Sequence, residues 1–379
     1  MDVNLGRRWR GPIAMALRSV EAVAFLVFLV VGFSIFMAMG RSKTLNQIEL
    51  NNHSGHCNFP AIFNFGDSNS DTGGKSAAYD RLPSPNGDTF FGKPSGRFCD
   101  GQLVIDFIAE KLGLPYLSGY LDSIGTNFRY GANFATAGST IQPVDAKIFE
   151  MGFSPFSLDI QLFQFEQFKA RTIELYKEGR SSYIESSFPR PEDFSKALYT
   201  LDIGQNDLHG GFVSMTEKQV LASIPNIINQ SAEAVKPENM DQSGCVKSHN
   251  EVAKEFNRQL QERVTQLGAQ LPDAILTYVD IFSAKYTLIS EAKKLGFANP
   301  HGYCCGHLGD YNVDCGRKAM VNGTEIIGAS CSNPSEYISW DGVHYSHAAN
   351  KWIANQILNG KLSNPPIPIT GACHKLGHS

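Results

Sequence analysis

The sequence lacks a basic stripe, an internal repeat and any low-complexity tract. Its net charge is −4 and its pI is near 6.2, whereas a surface that binds nucleic acid needs clustered Lys and Arg. The charge therefore excludes nucleic acid as a partner. With 379 residues, of which 42% are hydrophobic and 18% charged, the chain can bury one large core. A single domain of about 300 residues is expected.

Only one apolar run is long enough to concern a membrane, and it lies near the amino terminus. Residues 22–40 follow an arginine-containing basic segment, residues 1–21. The 19-residue run is intermediate between the core of a cleaved signal peptide and a helix that spans about 30 Å of hydrocarbon. The long charged lead favours an uncleaved signal anchor, and both alternatives stay open. Both put the rest of the chain in the lumen or outside the cell, with residues 41–56 as a stem and residues 57–379 as the folded domain.

No cysteine occurs before residue 57, and the eight that follow suit an oxidising compartment. Disulfides are predicted, without a pairing, among Cys57, Cys99, Cys245, Cys304, Cys305, Cys315, Cys331 and Cys373. The alternative is a zinc site built from Cys304, Cys305, His307, Cys315 and Cys331, although the adjacent cysteine pair lacks the usual ligand spacing. Three sequons, at Asn52, Asn229 and Asn322, are predicted acceptors for glycans.

Hydrophobic periodicity in the folded part predicts strands that alternate with helices. Short apolar runs predict buried strands at 61–65 and 197–203 and a third strand at 274–279. Helical spacing predicts helices at 102–112, 158–176, 252–267 and 348–358. The Gly-, Pro- and Ser-rich segment 71–96 is predicted to be a long loop, and Ser346 to cap the last helix. This order predicts an α/β fold, a three-layer α/β/α sandwich with a central, mostly parallel sheet.

Two segments far apart in the chain carry the residues of a nucleophilic site. Ser68 follows the first predicted strand, while Asp341 and His344 lie about 270 residues later, on one turn. A serine hydroxyl becomes a useful nucleophile when a histidine, oriented by a third group, accepts its proton. His344 and Asp341 are the predicted base and orienting acid, with His347 as the alternative base. Asp67 is expected to accept backbone N–H bonds in the nucleophile loop.

Four segments in order, residues 63–68, 133–138, 204–207 and 341–344, resemble the GDSL or SGNH hydrolase family, most closely its plant branch. The resemblance covers residues 57–373 and implies a flavodoxin-like SGNH fold that needs no metal or organic cofactor. It assigns the nucleophile to Ser68 and the oxyanion hole to the N–H groups of Ser68 and Gly138 and the side chain of Asn206. Gly131 is a competing glycine for the second donor. Two positions depart from the family pattern, Asn69 for its leucine and Gly74 for its asparagine, and neither has a direct role in proton transfer.

The resemblance implies hydrolysis of a carboxylic ester through an acyl-serine intermediate. Together with the predicted anchor, it suggests an O-acetylesterase that acts on a cell-wall polysaccharide such as xylan in the Golgi. A secreted lipase or general acyl-esterase is the alternative within enzymes. A catalytically silent carbohydrate-binding glycoprotein is the alternative from another class. The expected partners are the ester substrate and, if residues 22–40 are retained, a membrane.

Overall fold

The computed structural model describes residues 57–143, 153–179, 181–214, 240–307 and 312–373. All of them belong to one unit, Cys57–Ser379. The predicted segments 1–21, 22–40 and 41–56, and the sequons at Asn52 and Asn229, lie outside the described residues. Among the residues that are described, no helix is both long and apolar enough to cross a membrane.

The described chain contains both β-strands and α-helices. The strands are β1 (Ile62–Gly66), β2 (Gly131–Asn133), β3 (Leu198–Asp202), β4 (Tyr278–Val279), β5 (Asn299–Tyr303), β6 (Lys318–Val321), β7 (Thr324–Ile327), β8 (Tyr337–Ser339) and β9 (Ser363–Asn364). The α-helices are α1 (Gly74–Ala78), α2 (Asp88–Phe91), α3 (Val104–Lys111), α4 (Leu158–Glu178), α5 (Ser182–Ser187), α6 (Gln205–Ser214), α7 (Lys247–Gln270), α8 (Ile281–Ser290) and α9 (His347–Leu358).

A parallel sheet with the strand order β2-β1-β3 lies at the centre. Ile62 of β1 pairs with Gly131 of β2 on one side and with Leu198 of β3 on the other. Every residue of β1 is buried, as expected for the middle strand of a parallel sheet that is covered on both faces. The predicted parallel sheet is confirmed.

Alternate side chains of β1 enter two separate cores. Phe63 and Phe65 pack against Phe165 of α4, with ring centroids 5.2 and 5.6 Å apart. Ile62 packs on the other face in the same core as Ile108 of α3. Because successive residues of a strand point to opposite faces, one strand can join both helical layers. The predicted α/β/α layering is therefore confirmed.

The last helix, α9, packs against α3 and α8 in the carboxyl-terminal part of the chain. The hydroxyl of Ser346 accepts the backbone N–H of Ala349 at 3.2 Å, so Ser346 is the predicted N-cap. This cap fixes the start of α9 directly after the segment that contains Asp341 and His344.

Three expectations about secondary structure differ from the structure. The strand predicted at 197–203 forms but is not buried: β3 is an edge strand of the three-stranded sheet, and its Leu201 is 60% exposed. The run 274–279 forms only the two-residue strand β4, which pairs antiparallel with β9 and not with the central sheet. An apolar run predicts a strand but does not specify the strand with which it pairs. The predicted loop 71–96 contains α1 and α2, and α1 forms because Asp71 accepts N–H groups of its first turn.

Three disulfides join six of the eight cysteines, and this confirms the prediction of disulfides. The pairs are Cys57–Cys373, Cys304–Cys331 and Cys305–Cys315, while Cys99 and Cys245 are free. The zinc alternative is wrong because four of its five ligands are consumed in two of these bonds. Structural disulfides are typical of proteins that pass through the secretory pathway.

The sequon at Asn322 lies in the exposed turn between β6 and β7. Its side chain is therefore in a position that a glycan could occupy, and glycosylation there stays a prediction.

Candidate active site

Ser68 lies two residues beyond the end of β1, at the carboxyl edge of the central sheet. Ligand sites of parallel α/β sheets form at this edge. The preceding residue, Asp67, accepts the backbone N–H of Asn69 at 3.1 Å, as the sequence suggested. Its own N–H donates to the carbonyl of Asp202 at the end of β3, 3.3 Å away. The nucleophile loop is thus attached to the neighbouring strand.

Asp71 connects this loop to the segment that contains Gly138. Its carboxylate is fully buried and accepts four backbone N–H groups at 2.6–3.0 Å, from Gly73, Gly74, Lys75 and Ala137. Burial raises the pKa of Asp71, and these hydrogen bonds oppose that effect. No prediction from the sequence gave Asp71 a role at the site, although an Asp with glycines two and three positions later is a recognisable signal for side-chain to backbone bonding.

The two other predicted oxyanion donors lie beside each other. Gly138 has φ of +82°, a conformation that favours glycine. The side-chain amide of Asn206 donates to the carbonyl of Ser139 at 2.8 Å, and its nitrogen also lies 3.3 Å from Oδ2 of Asp67. Asn206 therefore links the residue after Gly138 to the residue before Ser68, and the structure brings all three candidates into one region.

Asp67 is fully buried beneath this region and is also bound by a residue that the sequence analysis did not single out. The side-chain nitrogen of Gln205 lies 2.7 and 2.8 Å from its two oxygens. Burial, and next the charge of Asp202, raise the pKa of Asp67 well above its usual range, while the bonds from Asn69 and Gln205 act in the opposite direction.

His344 and Asp341 form a hydrogen-bonded pair within one turn. Oδ2 of Asp341 lies 2.6 Å from Nδ1 of His344, and Oδ1 accepts the backbone N–H groups of Val343 and His344 at 3.0 and 2.8 Å. Burial would raise the pKa of Asp341, but the charge of His344 and these bonds outweigh burial and lower it. An ionised Asp341 holds the proton on Nδ1, which leaves Nε2 free to accept one.

The turn that bears His344 is anchored by a buried tryptophan and two disulfides. The N–H of Trp340 donates to the carbonyl of His344 at 2.8 Å. The carbonyl of Trp340 accepts the N–H groups of Cys304 and Cys305 at 2.9 and 2.6 Å. Trp340 is 1% exposed and packs in one cluster with these cysteines. The disulfides therefore support the position of the candidate base.

Ring contacts link the His344 turn, through Phe98, to Lys75 of α1. The ring of Phe98 lies 4.9 Å from that of His344, and Nζ of Lys75 lies 5.8 Å from the Phe98 ring. Tyr345 follows His344; burial, then the charges of Asp202 and Asp67, raise the pKa of its hydroxyl. No hydrogen bond joins Ser68 to His344 in the described structure, and such bonds are often long before substrate binds.

The two competing residues have other partners. Nδ1 of His347 accepts the N–H of Gln102 at 2.9 Å, and its ring stacks on Phe90, so His347 is not the partner of Asp341. Gly131 pairs with Ile62 at the opposite end of β1 from Ser68. A Cβ at Gly131 would lie 1.8 Å from the Ile62 carbonyl oxygen, so a glycine is required there for close strand packing.

The two departures from the family pattern fit the local structure. The side chain of Asn69 is partly exposed beside Ser68. A Cβ at Gly74 would lie 2.6 Å from the carbonyl oxygen of Ala135, so the backbone here leaves no room for a side chain. Within the described residues, no group of three or more His, Cys, Asp and Glu is placed to hold a metal ion.

The chain is similar in sequence to a known protein family and to several plant proteins. The family of GDSL-like lipases and acylhydrolases matches residues 62–357. A GDSL esterase/lipase of Arabidopsis thaliana is 53% identical over 84% of this chain and 90% of its own length. A GDSL esterase/lipase of Zea mays is 48% identical over 85% of this chain and 91% of its own. The alpha-L-fucosidase 3 of Arabidopsis thaliana is 44% identical over 83% and 94%.

Proposed function

The chain belongs to the GDSL-like lipase/acylhydrolase family and is a carboxylic ester hydrolase, and we propose that it acts through an acyl-serine formed on Ser68. His344 takes the proton from the Ser68 hydroxyl as this oxygen attacks the ester carbonyl, and Asp341 keeps the imidazole in the required tautomer. His344 then returns the proton to the leaving alkoxide. Water, activated by the same imidazole, releases the acid.

The negative charge of the tetrahedral intermediate would be stabilised by the N–H groups of Ser68 and Gly138 and by the amide of Asn206. The amide of Asn206 lies between the segments of Ser68 and Gly138, which supports this assignment. It donates there to Ser139 and Asp67, so one of these two bonds must open before the amide can donate to the oxyanion. The observation that carries the proposal is the 2.6 Å bond between Asp341 and His344. Its turn is linked through Phe98 to Lys75 of α1, and the first turn of this helix is bound by Asp71, three residues after Ser68.

The test compares two serines of the same loop. The Ser68→Ala variant is expected to lose hydrolysis of p-nitrophenyl acetate and covalent labelling by a fluorophosphonate probe. The matched control is Ser70→Ala, since the buried hydroxyl of Ser70 has no hydrogen-bond partner in the described structure, and this variant should retain both. Full activity of Ser68→Ala would overturn the proposal. Absence of labelling in the unaltered protein would instead revive the catalytically silent carbohydrate-binding protein.

We further propose that the substrate is an O-acetylated cell-wall polysaccharide such as xylan. Passage through the secretory pathway, supported by the disulfides, would bring the domain to such polymers. Retention of residues 22–40 as a signal anchor would hold it in the Golgi, where they are made. Acetate release from acetylated xylan, without fatty acid release from long-chain acylglycerols, is expected. The reverse result would favour the secreted lipase, and amino-terminal sequencing of the mature protein would decide whether residues 22–40 are removed.

The relative named as a fucosidase raises the question of glycoside hydrolysis. Glycosidases generally use two carboxyl groups that flank the scissile bond, about 5–5.5 Å apart in retaining enzymes. Here Asp341 is bonded to His344, and Asp67 is fully buried and bound by Gln205. Ester hydrolysis therefore fits these residues better.

A further inference from the structure

A buried glutamine that neither the family pattern nor the reaction assigns contacts the main chain just before the nucleophile. Gln161 lies on α4, and its side chain is 0% exposed. Its Oε1 accepts the N–H of Gly66 at 2.9 Å, and its Nε2 donates to the carbonyl of Gly66 at 2.8 Å. Nε2 also donates to the carbonyl of Phe156 at 3.0 Å. One side chain therefore binds both polar groups of a single backbone residue.

The location of this contact explains why a polar side chain is needed. On the β3 side, Gly66 is still paired, with Asp202. On the β2 side, the regular pairing ends where Asn64 faces Asn133, and past this pair only the N–H of Thr136 reaches the Gly66 carbonyl, at 3.2 Å. Beyond the last ladder pair, the backbone N–H of a buried residue needs another acceptor, because an unsatisfied buried group costs about 1–3 kcal/mol. Oε1 of Gln161 supplies that acceptor. The side chain thus continues the strand pairing towards the nucleophile.

Gly66 also has particular need of such a clamp. A Cβ at this residue would lie 2.4 Å from the carbonyl oxygen of Asp202, so no larger residue fits. Glycine has the greatest backbone freedom, and its orientation must then be fixed by neighbouring groups. Because Ser68 follows Gly66 by only two residues, the orientation of the Gly66 peptide influences where the N–H and the hydroxyl of Ser68 lie.

We propose that Gln161 is a positioning residue for the nucleophile, through its paired hydrogen bonds to Gly66. This inference rests on the proposed role of Ser68. A small displacement of Ser68 would weaken both its attack on the carbonyl and its donation to the oxyanion. Displacements of about 1 Å in an active site can lower the rate about 100-fold.

The experiment replaces Gln161 by Met, which has a similar length but cannot form these hydrogen bonds, and by Glu. The Glu side chain keeps an acceptor for Gly66 but, when ionised, loses the donors for the carbonyls of Gly66 and Phe156. The matched control is Gln164→Met, on the same helix, because Oε1 of Gln164 has no partner in the described structure. For each purified variant, kcat and KM for p-nitrophenyl acetate, the rate of fluorophosphonate labelling of Ser68 and the melting temperature are measured.

Gln161→Met is expected to lower kcat and the labelling rate about 100-fold in parallel, with KM little changed, and Gln161→Glu should have an intermediate effect. Gln164→Met should match the unaltered protein. A purely structural role would instead lower the melting temperature and leave the labelling rate of the folded molecules unchanged, and this result would overturn the inference. If Gln161→Met does not fold, a Gln161→Glu variant with unaltered kcat and labelling would overturn it equally. The two hypotheses can fail separately. If Ser68 is labelled and essential but kcat and the labelling rate of the Gln161 variants are unchanged, the inference about Gln161 is wrong and the proposed function stands.

Discussion

The substitution Asp341→Asn separates the chemical role of the carboxylate from its role in the turn. The two backbone N–H groups of the turn donate to Oδ1, at 2.8 and 3.0 Å, whereas the ring of His344 contacts Oδ2, at 2.6 Å. An asparagine can keep its oxygen in the Oδ1 position and so preserve the turn. Its NH₂ group then takes the place of Oδ2 and donates to Nδ1 of His344.

The imidazole must respond by carrying its proton on Nε2, the nitrogen that should accept the proton of Ser68. The corresponding substitution in a serine protease lowers kcat about 10⁴-fold, which is equivalent to about 5.4 kcal/mol of transition-state stabilisation. We expect a fall of that size in kcat for p-nitrophenyl acetate, with KM little changed. Circular dichroism should be unaltered because the backbone bonds of the turn remain.

The matched control is Asp280→Asn. Asp280 also accepts two hydrogen bonds from a residue three positions later, Ser283, at the start of α8. Asparagine caps helices as well as aspartate does, so this variant should keep full activity. A kcat for Asp341→Asn within tenfold of the control would refute the assignment of Asp341 as the orienting acid.

The same residue predicts a pH dependence of stability. The folded state lowers the pKa of Asp341, and a model peptide has an aspartate pKa of about 3.9. The contribution of Asp341 to the free energy of unfolding is therefore present above about pH 4 and is lost as the pH falls through the lower, folded-state value. In urea titrations, the stability difference between the unaltered protein and Asp341→Asn should be constant near neutral pH and shrink below about pH 4. A difference that grows on acidification would contradict this reasoning.

Two further predictions concern the oxyanion hole and the disulfides. Asn206→Ala should lower kcat by a factor of about 10²–10³, equivalent to about 2.7–4 kcal/mol, with little change in KM. An unaltered kcat would show that Asn206 does not donate to the oxyanion. Replacing Cys304 and Cys331 by Ser should lower kcat in the folded protein, because Cys304 supports the carbonyl of Trp340 beside His344. The control, Ser at Cys57 and Cys373, should cost about 2–5 kcal/mol of stability yet leave kcat unchanged; equal kinetic effects of the two pairs would refute the distinction.

Local patterns in the sequence predicted elements that are long and regularly amphipathic. The strand at β1 and the helices α3, α4 and α9 are confirmed within a few residues of their predicted bounds, because each is determined by its own periodicity and by caps such as Ser346. The pairing of strands was less predictable, since β4 pairs with β9 rather than with the central sheet. The hairpin of β6 and β7 was missed even though Asn322 and Gly323, both with positive φ, are a strong turn signal.

The candidate site was predictable only where a short motif carries the chemistry. The pair Asp341 and His344 is local, so its spacing could be read directly from the chain. The bonds from Gln161 to Gly66 and from Ala137 to Asp71 join residues 95 and 66 positions apart. No periodicity connects such residues, and without the fold their polar side chains cannot be told from exposed ones.

Buried polar side chains hold the site together because the site lies past the ends of the strands. Asn133 illustrates this: its amide nitrogen donates to the carbonyl of Ser70 and the hydroxyl of Thr72 at 2.6 and 2.8 Å, and its oxygen accepts from Asn64 and the N–H of Ala135. Its full hydrogen-bonding capacity is thereby used. Catalysis requires a hydroxyl that the substrate can reach, held at a fixed angle, but regular ladders cannot continue into the loop that carries it. Side chains such as Asn133, Asp71 and Gln161 replace the missing ladder bonds, so the geometry of the reacting groups depends on buried residues that have no part in the proposed proton transfers.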